Sequence, residues 1–426
     1  MTAPFSDLIE ESFHEATFLW GRWEQELSSP TRNLAEVVSW TEGRLLGALD
    51  GVRVGGSALV ELAAPGLASE ARFVVTVSAA LLGSAADPTV LEPVMRVLAE
   101  AEGPRLDAIL RGLEVAASAP ALRTAAGVLT SRKGAIGAGA LCRLKAFHRS
   151  PAGDELRVAF DSDDVGAQCQ AVRAAGLTPT KAGAACITAG LHHNHPVLRR
   201  EAVRAAVGAG MREGLDIARA LAAQLDQRSA PYLPLLALLG GPADHDVIYA
   251  ALRVEPLRIP ALSALAHIGT VRALDTCVAA MAHEPLARAA GEAYCWVTGA
   301  DLERDRLAEQ DPPPDVPAFE DEDLDADLVP PPESLWPKPA VTKVLEHWQP
   351  RKAAMTPDVR YIHGQAADRD QRLRMVEHGP MLRRTDLVFE LRARSRGRFD
   401  VETRAFAARQ REMFTAALLA LAARTS

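Results

Sequence analysis

The densest group of residues able to bind a metal is the histidine cluster His192, His193 and His195. Neutral imidazoles are common ligands of zinc and related metals. No carboxylate or cysteine stands at the usual ligand spacing from them, and the cluster falls where one helical segment ends and the next begins. We therefore expect a solvated turn here rather than a metal site.

Cys295, in the stretch AYCWVTG, is a second residue whose type could do chemistry, as a nucleophile. No base stands at helical spacing from it, and it lies on an apolar stripe, so a buried core thiol is the better interpretation. The signatures GxxxxGKS, GxGxxG, GxSxG and HExxH are all absent from the sequence. We predict no catalytic residue, no cofactor and no metal.

Arginines dominate the third candidate, a basic stretch near the C-terminus that also contains Phe389 and Phe399. Its arginines are Arg383, Arg384, Arg392, Arg394, Arg396 and Arg398. Such a cluster could contact nucleic-acid phosphates. The acids Asp386, Glu390, Asp400 and Glu402 are interspersed among them. A salt-bridged surface is therefore favoured over nucleic-acid binding. Binding of an acidic protein, or of the chain's own acidic linker, is a third interpretation intermediate between these two.

The composition indicates an all-α protein. Hydrophobic residues make up 48% of the 426 residues but aromatics only 5%, so Ala, Leu and Val supply most of the apolar content. The N-terminus has acids in place of a basic signal region, and no apolar run approaches the length of a membrane span. We expect a cytoplasmic protein without membrane insertion. We expect its five widely spaced cysteines to be reduced, buried thiols: Cys142, Cys169, Cys186, Cys277 and Cys295.

Charge divides the chain into three blocks. Residues 309–333 carry ten acids and no base, whereas residues 338–426 carry eighteen bases and ten acids. The net charge of the whole chain is −8, which leaves −6 for residues 1–308. The acidic block is rich in proline and poor in apolar residues, which is typical of a linker.

A repeat of about 30 residues is visible in the middle of the chain. Stretches of apolar residues at helical spacing close on Gly176, Gly210, Gly240, Gly269 and Gly299, at intervals of 34, 30, 29 and 30 residues. A second apolar stretch follows each glycine, so the unit is a helix pair. We expect these glycines to form left-handed C-caps, and prolines such as Pro196 to begin helices. Fainter units upstream bring the number of pairs to about eight.

Two helices precede the repeats, one over residues 5–27 and one from Asn33 to Asp50. Three of the six tryptophans, Trp20, Trp23 and Trp40, fall in them. The simpler interpretation is a cap over the first repeat. The alternative is a partner-binding groove, because tryptophan is a frequent anchor of interfaces.

The period, the proline or acidic starts and the core AVRAAVGAG resemble HEAT repeats of the short bacterial type, over about residues 67–300. HEAT-like hydroxylases hold iron with repeated His-Glu pairs, but only His283-Glu284 lies within these repeats, so we exclude an iron oxygenase. HEATFLWGRW, RLLGALDGVRVGG and VRYIHGQ resemble a little-characterised family of bacterial HEAT-like proteins. That resemblance implies the architecture and a setting near type VI secretion genes, and it brings no catalytic motif. The positions that match are Phe18, Leu19, Trp20, Asp50, Gly51, Gly55, Arg360, Tyr361, Gly364, Gln410 and Arg411.

The sequence therefore predicts an all-α, HEAT-like α-solenoid with four parts. These are a helical cap (1–66), a solenoid (67–308), an acidic linker (309–338) and a basic, mostly helical C-terminal domain (339–426). Within the last part we expect an irregular stretch through PDVRYIHG, a helix from Met381 to Arg394 and a short extended stretch, GRFDVE. We predict a protein-binding scaffold or adaptor, as an accessory factor of a secretion system such as type VI. A HEAT-like lyase or subunit of a protein-modifying enzyme, and nucleic-acid binding through the basic block, are the alternatives. The predicted partner-binding residues are Trp20, Trp23, Trp40, Arg360, Tyr361, Arg383, Arg384, Arg392 and Arg394.

Overall fold

The computed structural model describes residues 6–56, 58–309 and 332–423, and these are almost entirely helical. The first helices are α1 (Ser6–Glu26), α2 (Leu34–Val37), a π-helical turn (Val38–Glu42), α3 (Gly43–Arg53) and α4 (Ala58–Gly66). The next are α5 (Arg72–Gly83), α6 (Pro88–Glu100), α7 (Gly103–Ala116), α8 (Ala119–Ser131), α9 (Ala135–His148), α10 (Glu155–Phe160), α11 (Val165–Leu177), α12 (Lys181–Leu191) and α13 (Pro196–Gly208).

The second half continues the pattern with shorter helices. These are α14 (Arg212–Ala222), α15 (Leu233–Leu239), α16 (Pro242–Ala251), α17 (Arg258–Ile268), α18 (Val271–Ala280) and α19 (Glu284–Thr298). Single 3-10 turns lie at Gln227–Tyr232, Glu255–Leu257 and Pro332–Leu335. The C-terminal elements are α20 (Val341–Ala354), the strands β1 (Tyr361–Ile362) and β2 (Gln365–Ala366), then α21 (Arg369–His378), α22 (Met381–Arg394) and α23 (Ala407–Ala422).

The described residues form two compact units, one made of those within 6–214 and 376–423 and the other of those within 215–375. Residues 376–423 thus belong with the first half of the chain. The predicted four-part division follows the sequence, and it stays a prediction.

In the first unit, helices pack with their near neighbours in sequence, as stacked helix pairs do. Helices α5, α7, α9, α11 and α13 contact one another in order and form a row, and α4, α6, α8, α10 and α12 pack beside it. The core is a continuous cluster of Ala, Leu and Val side chains that includes Trp20 and Trp23. The all-α prediction is confirmed, with solenoid-like packing of consecutive helices.

The N-terminal helix pair is confirmed as well. Asn33 caps its second helix, and the Asn33 side chain and Glu36 form a reciprocal capping box. That helix runs to Arg53, three residues beyond the predicted end, and its middle is the π-helical turn. The wider turn exposes Trp40 and turns Glu42 into the core.

In the second unit, α15, α17 and α19 pack in order, with α16 and α18 beside them. The stretch PDVRYIHG, which we predicted to be irregular, enters a β-hairpin whose two strands are each two residues long. The turn of the hairpin has positive φ at His363 (50°) and Gly364 (72°). The Tyr361 N–H donates to the Gly269 carbonyl at 2.9 Å, and the His363 N–H donates to the Trp296 carbonyl at 3.0 Å. The hairpin therefore caps the C-terminal ends of α17 and α19, whose last carbonyls have no partner within the helix.

The glycines that close the repeats serve different purposes. Gly269 and Gly299 are left-handed C-caps (φ 60° and 76°), and Gly210 also has a positive φ, as predicted. The prediction is wrong for Gly176 and Gly240, which do not have positive φ. Gly176 instead allows two helices to pack closely, since an added Cβ would lie 2.8 Å from the Cβ of Ala205 on α13.

No helix in the part of the chain that the structure describes combines the length and the apolar character needed to cross a bilayer.

We expect Gly269→Ala to lower the free energy of unfolding by about 2 kcal/mol. Residue 269 has φ 60°, and the new Cβ would lie 2.5 Å from the Tyr361 carbonyl oxygen. Chemical denaturation measures the loss. Gly127→Ala is the control, because that helical glycine has no heavy atom within 4 Å of an added Cβ; it should be neutral or stabilise by about 0.5–1 kcal/mol. Equal effects of the two substitutions would contradict the role of the hairpin.

Candidate functional site

The three predicted tryptophans lie in two different environments. Trp20 and Trp23 have no exposed surface, and the Trp23 Nε1–H donates to Glu42 Oε2 at 2.9 Å. Trp40 is 67% exposed, with the Arg32 guanidinium 6.0 Å from its ring centre. A partner could therefore contact Trp40 directly, whereas contact with Trp20 or Trp23 would require the cap to unpack.

Three of the predicted arginines are buried in the first unit. Arg384 donates to the Val376 carbonyl (2.6 Å) and to Gln410 Oε1 (2.7 Å), and burial lowers its pKa to about 10. Arg392 donates to the carbonyls of Gly176 and Leu177 at the C-terminal end of α11. Arg383 is 2% exposed. These side chains stabilise helix packing.

The remaining predicted residues lie nearer the surface. Arg394 is exposed and donates to the buried Glu390 at 2.8 Å. Arg360 and Tyr361 lie in the second unit and are half-buried at the start of the hairpin. Among the predicted binding residues, only Trp40 and Arg394 are exposed, and the others are partly or fully buried.

A different site is organised by residues 398–406, which connect α22 to α23 and which we call the connector. Phe399, Val401, Thr403 and Ala405 are buried, whereas the residues between them are partly or fully exposed. The short extended stretch predicted at GRFDVE does not form a strand. Residues 397–399 form a turn and a bend, residues 400–402 have no regular secondary structure, and residues 403–404 form a turn in which the Ala405 N–H donates to the Glu402 carbonyl at 3.3 Å.

Arg149 fixes the connector to the helix row. It follows α9 in the left-handed conformation (φ 56°), which costs about 1 kcal/mol for a residue other than glycine. Its guanidinium forms an ion pair with Asp400 and a second with Glu402 at 3.1 Å, and it donates to the Ala146 carbonyl at 2.6 Å. Arg392 also contacts Asp400, at 2.9 Å. The two connector carboxylates are thus bound by arginines from two other elements.

Beside the connector, successive helices of the row each present one arginine. These are Arg111 on α7, Arg143 on α9, Arg173 on α11 and Arg204 on α13, at intervals of 32, 30 and 31 residues. The intervals equal the repeat period, so the four side chains take equivalent places on neighbouring helices.

Ion pairs link this arginine row across helices. Arg143 contacts Glu114 and Asp107 of α7, each at 2.7 Å. Arg111 contacts Glu24 of α1 and donates to the Arg404 carbonyl of the connector at 2.8 Å. Burial would raise the pKa of Glu24, but the charges of Arg111 and Arg404 outweigh it, so this pKa is lower than usual. The pairs hold the row in a fixed geometry.

Toward α13, the arginines of the row form fewer and longer ion pairs. Arg173 is exposed and its nearest carboxylate, Glu201, is 3.5 Å away. Arg204 is exposed, stacks on the Phe389 ring at 4.5 Å from its centre, and has no carboxylate within 4 Å among the residues that the structure describes. These two side chains have charge available for a ligand.

Two adjoining clefts, of about 410 and 370 Å³, flank the connector along this row. They share Arg173, Leu177, Glu402 and Arg404, so we treat them as one arginine cleft. The side-chain oxygen Oε1 of Gln170 is buried in its lining without a hydrogen-bond partner. Several arginines and the connector residues Asp400 and Glu402 therefore line the same space.

The arginines of this cleft are spread over several helices, so no local cluster in the sequence marks them. The sequence does contain arginines spaced by one repeat, most clearly in the motif VRAA, which occurs at residues 172–175 and again at residues 203–206. No spacing indicated that the connector would lie against them.

The other chemical candidates are structural. His192 Nε2 lies 2.8 Å from Glu213, and the His193 ring accepts from the His195 N–H, at the junction between α12 and α13. Within residues 6–56, 58–309 and 332–423, no group of three or more His, Cys, Asp or Glu side chains could hold a metal ion. Burial raises the pKa of the Cys142 thiol to about 12 and raises that of Cys295 still further, so neither is a ready nucleophile.

The far end of the connector is held by Glu42. This carboxylate accepts from the Trp23 Nε1–H and from the Ala407 N–H at 2.8 Å, at the first residue of α23. It thus satisfies a helix N-terminus from another part of the fold. Burial raises the pKa of Glu42, and these hydrogen bonds and the charge of Arg411 offset the rise only in part.

We expect Glu42→Ala to lower the free energy of unfolding by about 2–3 kcal/mol, because two buried donors lose their acceptor. Glu42→Gln keeps an acceptor and should cost less than about 1 kcal/mol at pH 5. An acid with a raised pKa binds more protons in the folded state, so wild-type stability should fall relative to Glu42→Gln as pH rises through that pKa. Denaturation of the three proteins between pH 5 and 8 tests both statements. A constant difference with pH would contradict the raised pKa.

Comparison with known proteins assigns no family. No family model matches the chain, and no curated protein matches it. One matching solved structure is that of an engineered protein from a structural genomics consortium, with 16% identity, 67% of this chain and 87% of that chain covered, and a TM-score of 0.25. A likeness of this size does not define a shared fold.

Proposed function

We propose that this chain is a protein-binding scaffold or adaptor that holds part of another protein in the arginine cleft. The observation that carries the proposal is the row of four arginines in equivalent places on successive helices, two of them exposed at the weakly paired end. Stacked helix pairs provide a rigid surface whose residues keep their spacing without a bound partner. Arginine is also enriched among residues that dominate binding energy.

We further propose that the helix pairs are about eight HEAT-like units and that the protein acts in the cytoplasm. The proposed partner is a component or cargo of a bacterial secretion system such as type VI. The support for these points is the sequence resemblance at HEATFLWGRW and VRYIHGQ, together with the 30-residue period.

Nucleic-acid binding through residues 380–411 has less support. Arg384 and Arg392 donate to carbonyls of the protein itself, and Arg383 is buried, so these arginines do not present a continuous surface to phosphates. A lyase or an enzyme subunit has no comparable support, because the cleft carboxylates Glu114 and Glu402 are already bound by arginines.

The test is affinity purification of the tagged full-length protein from its own organism, with mass spectrometry. We expect wild type to retain a stoichiometric partner, and Arg173→Glu with Arg204→Glu to reduce its recovery by about tenfold or more, because reversed charges repel an acidic ligand. The matched control is Arg123→Glu with Arg157→Glu, which reverses two exposed arginines outside the cleft lining.

The outcomes separate clearly once thermal unfolding shows that both variants fold. Loss of the partner in the cleft variant alone supports the proposal. Equal recovery from all three proteins would move the binding site elsewhere on the surface. Recovery of nothing above background from wild type would contradict the scaffold function.

A further inference from the structure

We propose that the ligand of the arginine cleft is an extended acidic segment of a protein, laid beside residues 400–404 with carboxylates on Arg173 and Arg204. The inference rests on the proposed function and specifies the chemistry of the partner. Three features of the cleft lead to it: an acidic segment already bound there, the balance of charge and the spacing of the arginines.

The connector is the bound segment. Asp400 and Glu402 are two residues apart in a stretch without regular secondary structure, and both bind Arg149 from the end of α9. The intervening Val401 faces inward and is 3% exposed. The helix row therefore already binds one acidic segment by its carboxylates, and the exposed Arg173 and Arg204 line the same cleft as that segment.

The charge balance leaves room for a second anion. Eight arginines line the two adjoining clefts, against five carboxylates. The arginines are Arg72, Arg111, Arg143, Arg149, Arg173, Arg204, Arg392 and Arg404, and the acids are Asp107, Glu114, Glu201, Asp400 and Glu402. Glu24, behind the lining, contacts Arg111 and Arg404 and reduces the excess from three positive charges to two. The excess matches a ligand with a few negative charges.

The spacing sets which acidic sequence fits. Packed helices lie about 8–10 Å apart, so arginines in equivalent places on α11 and α13 are about 10 Å apart. In an extended strand, side chains three residues apart point to opposite faces. In a polyproline-II chain, which has three residues per turn and rises about 3.1 Å per residue, they return to the same face about 9 Å apart and match that distance. The ligand should therefore be an extended segment of the polyproline-II type with an acid at every third position.

The lining favours a peptide over a nucleic acid. A nucleic-acid strand has a negative charge at every nucleotide, and it would place some phosphates beside Glu201, Glu402 or Glu114. A peptide can put neutral residues opposite these carboxylates and acids opposite the arginines.

The test uses two synthetic Gly/Ser peptides of about twelve residues with four aspartates each, spaced by three in one and contiguous in the other. Fluorescence anisotropy with the full-length protein at low and physiological salt measures binding. We expect the spaced peptide to bind about fivefold more tightly than the contiguous one, and Arg204→Ala or Arg173→Ala to weaken it about fivefold. Arg123→Ala, outside the cleft lining, should change nothing.

Equal binding of the two peptides, or binding unaffected by Arg204→Ala, would overturn the inference. Tighter, Arg204-dependent binding of a thymidine oligonucleotide of equal charge would overturn it in favour of a nucleic acid. The proposed function fails separately. If the partner recovered from cells depends on Arg173 and Arg204 while neither peptide binds, the scaffold stands and the extended acidic ligand is wrong.

Discussion

The ion pairs of Arg149 with Asp400 and Glu402 are the interaction on which the cleft depends. They join the end of α9 to a segment that lies 251 residues later in the chain. Because Arg149 has a left-handed backbone, its side chain leaves the helix end toward the connector and also donates to the Ala146 carbonyl. The conformational cost at one residue is offset by several charge-assisted hydrogen bonds. The contacts of Arg392 with Asp400 and of Arg111 with the Arg404 carbonyl act together with this anchor to hold the connector beside the arginine row.

Glu42 holds the other end of the same connector by accepting hydrogen bonds rather than by forming ion pairs. Its carboxylate replaces the missing acceptor at the start of α23 and also accepts from the Trp23 indole. The π-helical turn that places Glu42 inward is the one that leaves Trp40 outside. A local irregularity in one helix thus serves the docking of another, remote helix.

The basic C-terminal block illustrates how a charge cluster in sequence differs from a charged surface. The guanidinium groups of Arg384 and Arg392 donate hydrogen bonds to main-chain carbonyls, and Arg384 also donates to Gln410. Each of the two residues is at most 5% exposed. Buried guanidiniums must be satisfied by hydrogen bonds because desolvation is costly. The charge available to a ligand comes instead from Arg173 and Arg204, which looked like ordinary members of amphipathic helices.

The sequence by itself determined the helices. Apolar spacing placed the pairs, Asn33 fixed the start of the second helix, and the bounds of α22 were predicted to the residue, because these features depend on neighbours within one or two turns. The arginines of the row are also spaced by the repeat period in the sequence. Only the tertiary structure decided that residues 376–423 join the first half of the chain, that Trp20 and Trp23 are buried while Trp40 is not, and that the connector completes the cleft. Those outcomes depend on pairs such as Arg149 with Asp400 and Glu42 with Ala407, whose partners are hundreds of residues apart and leave no local pattern in either segment.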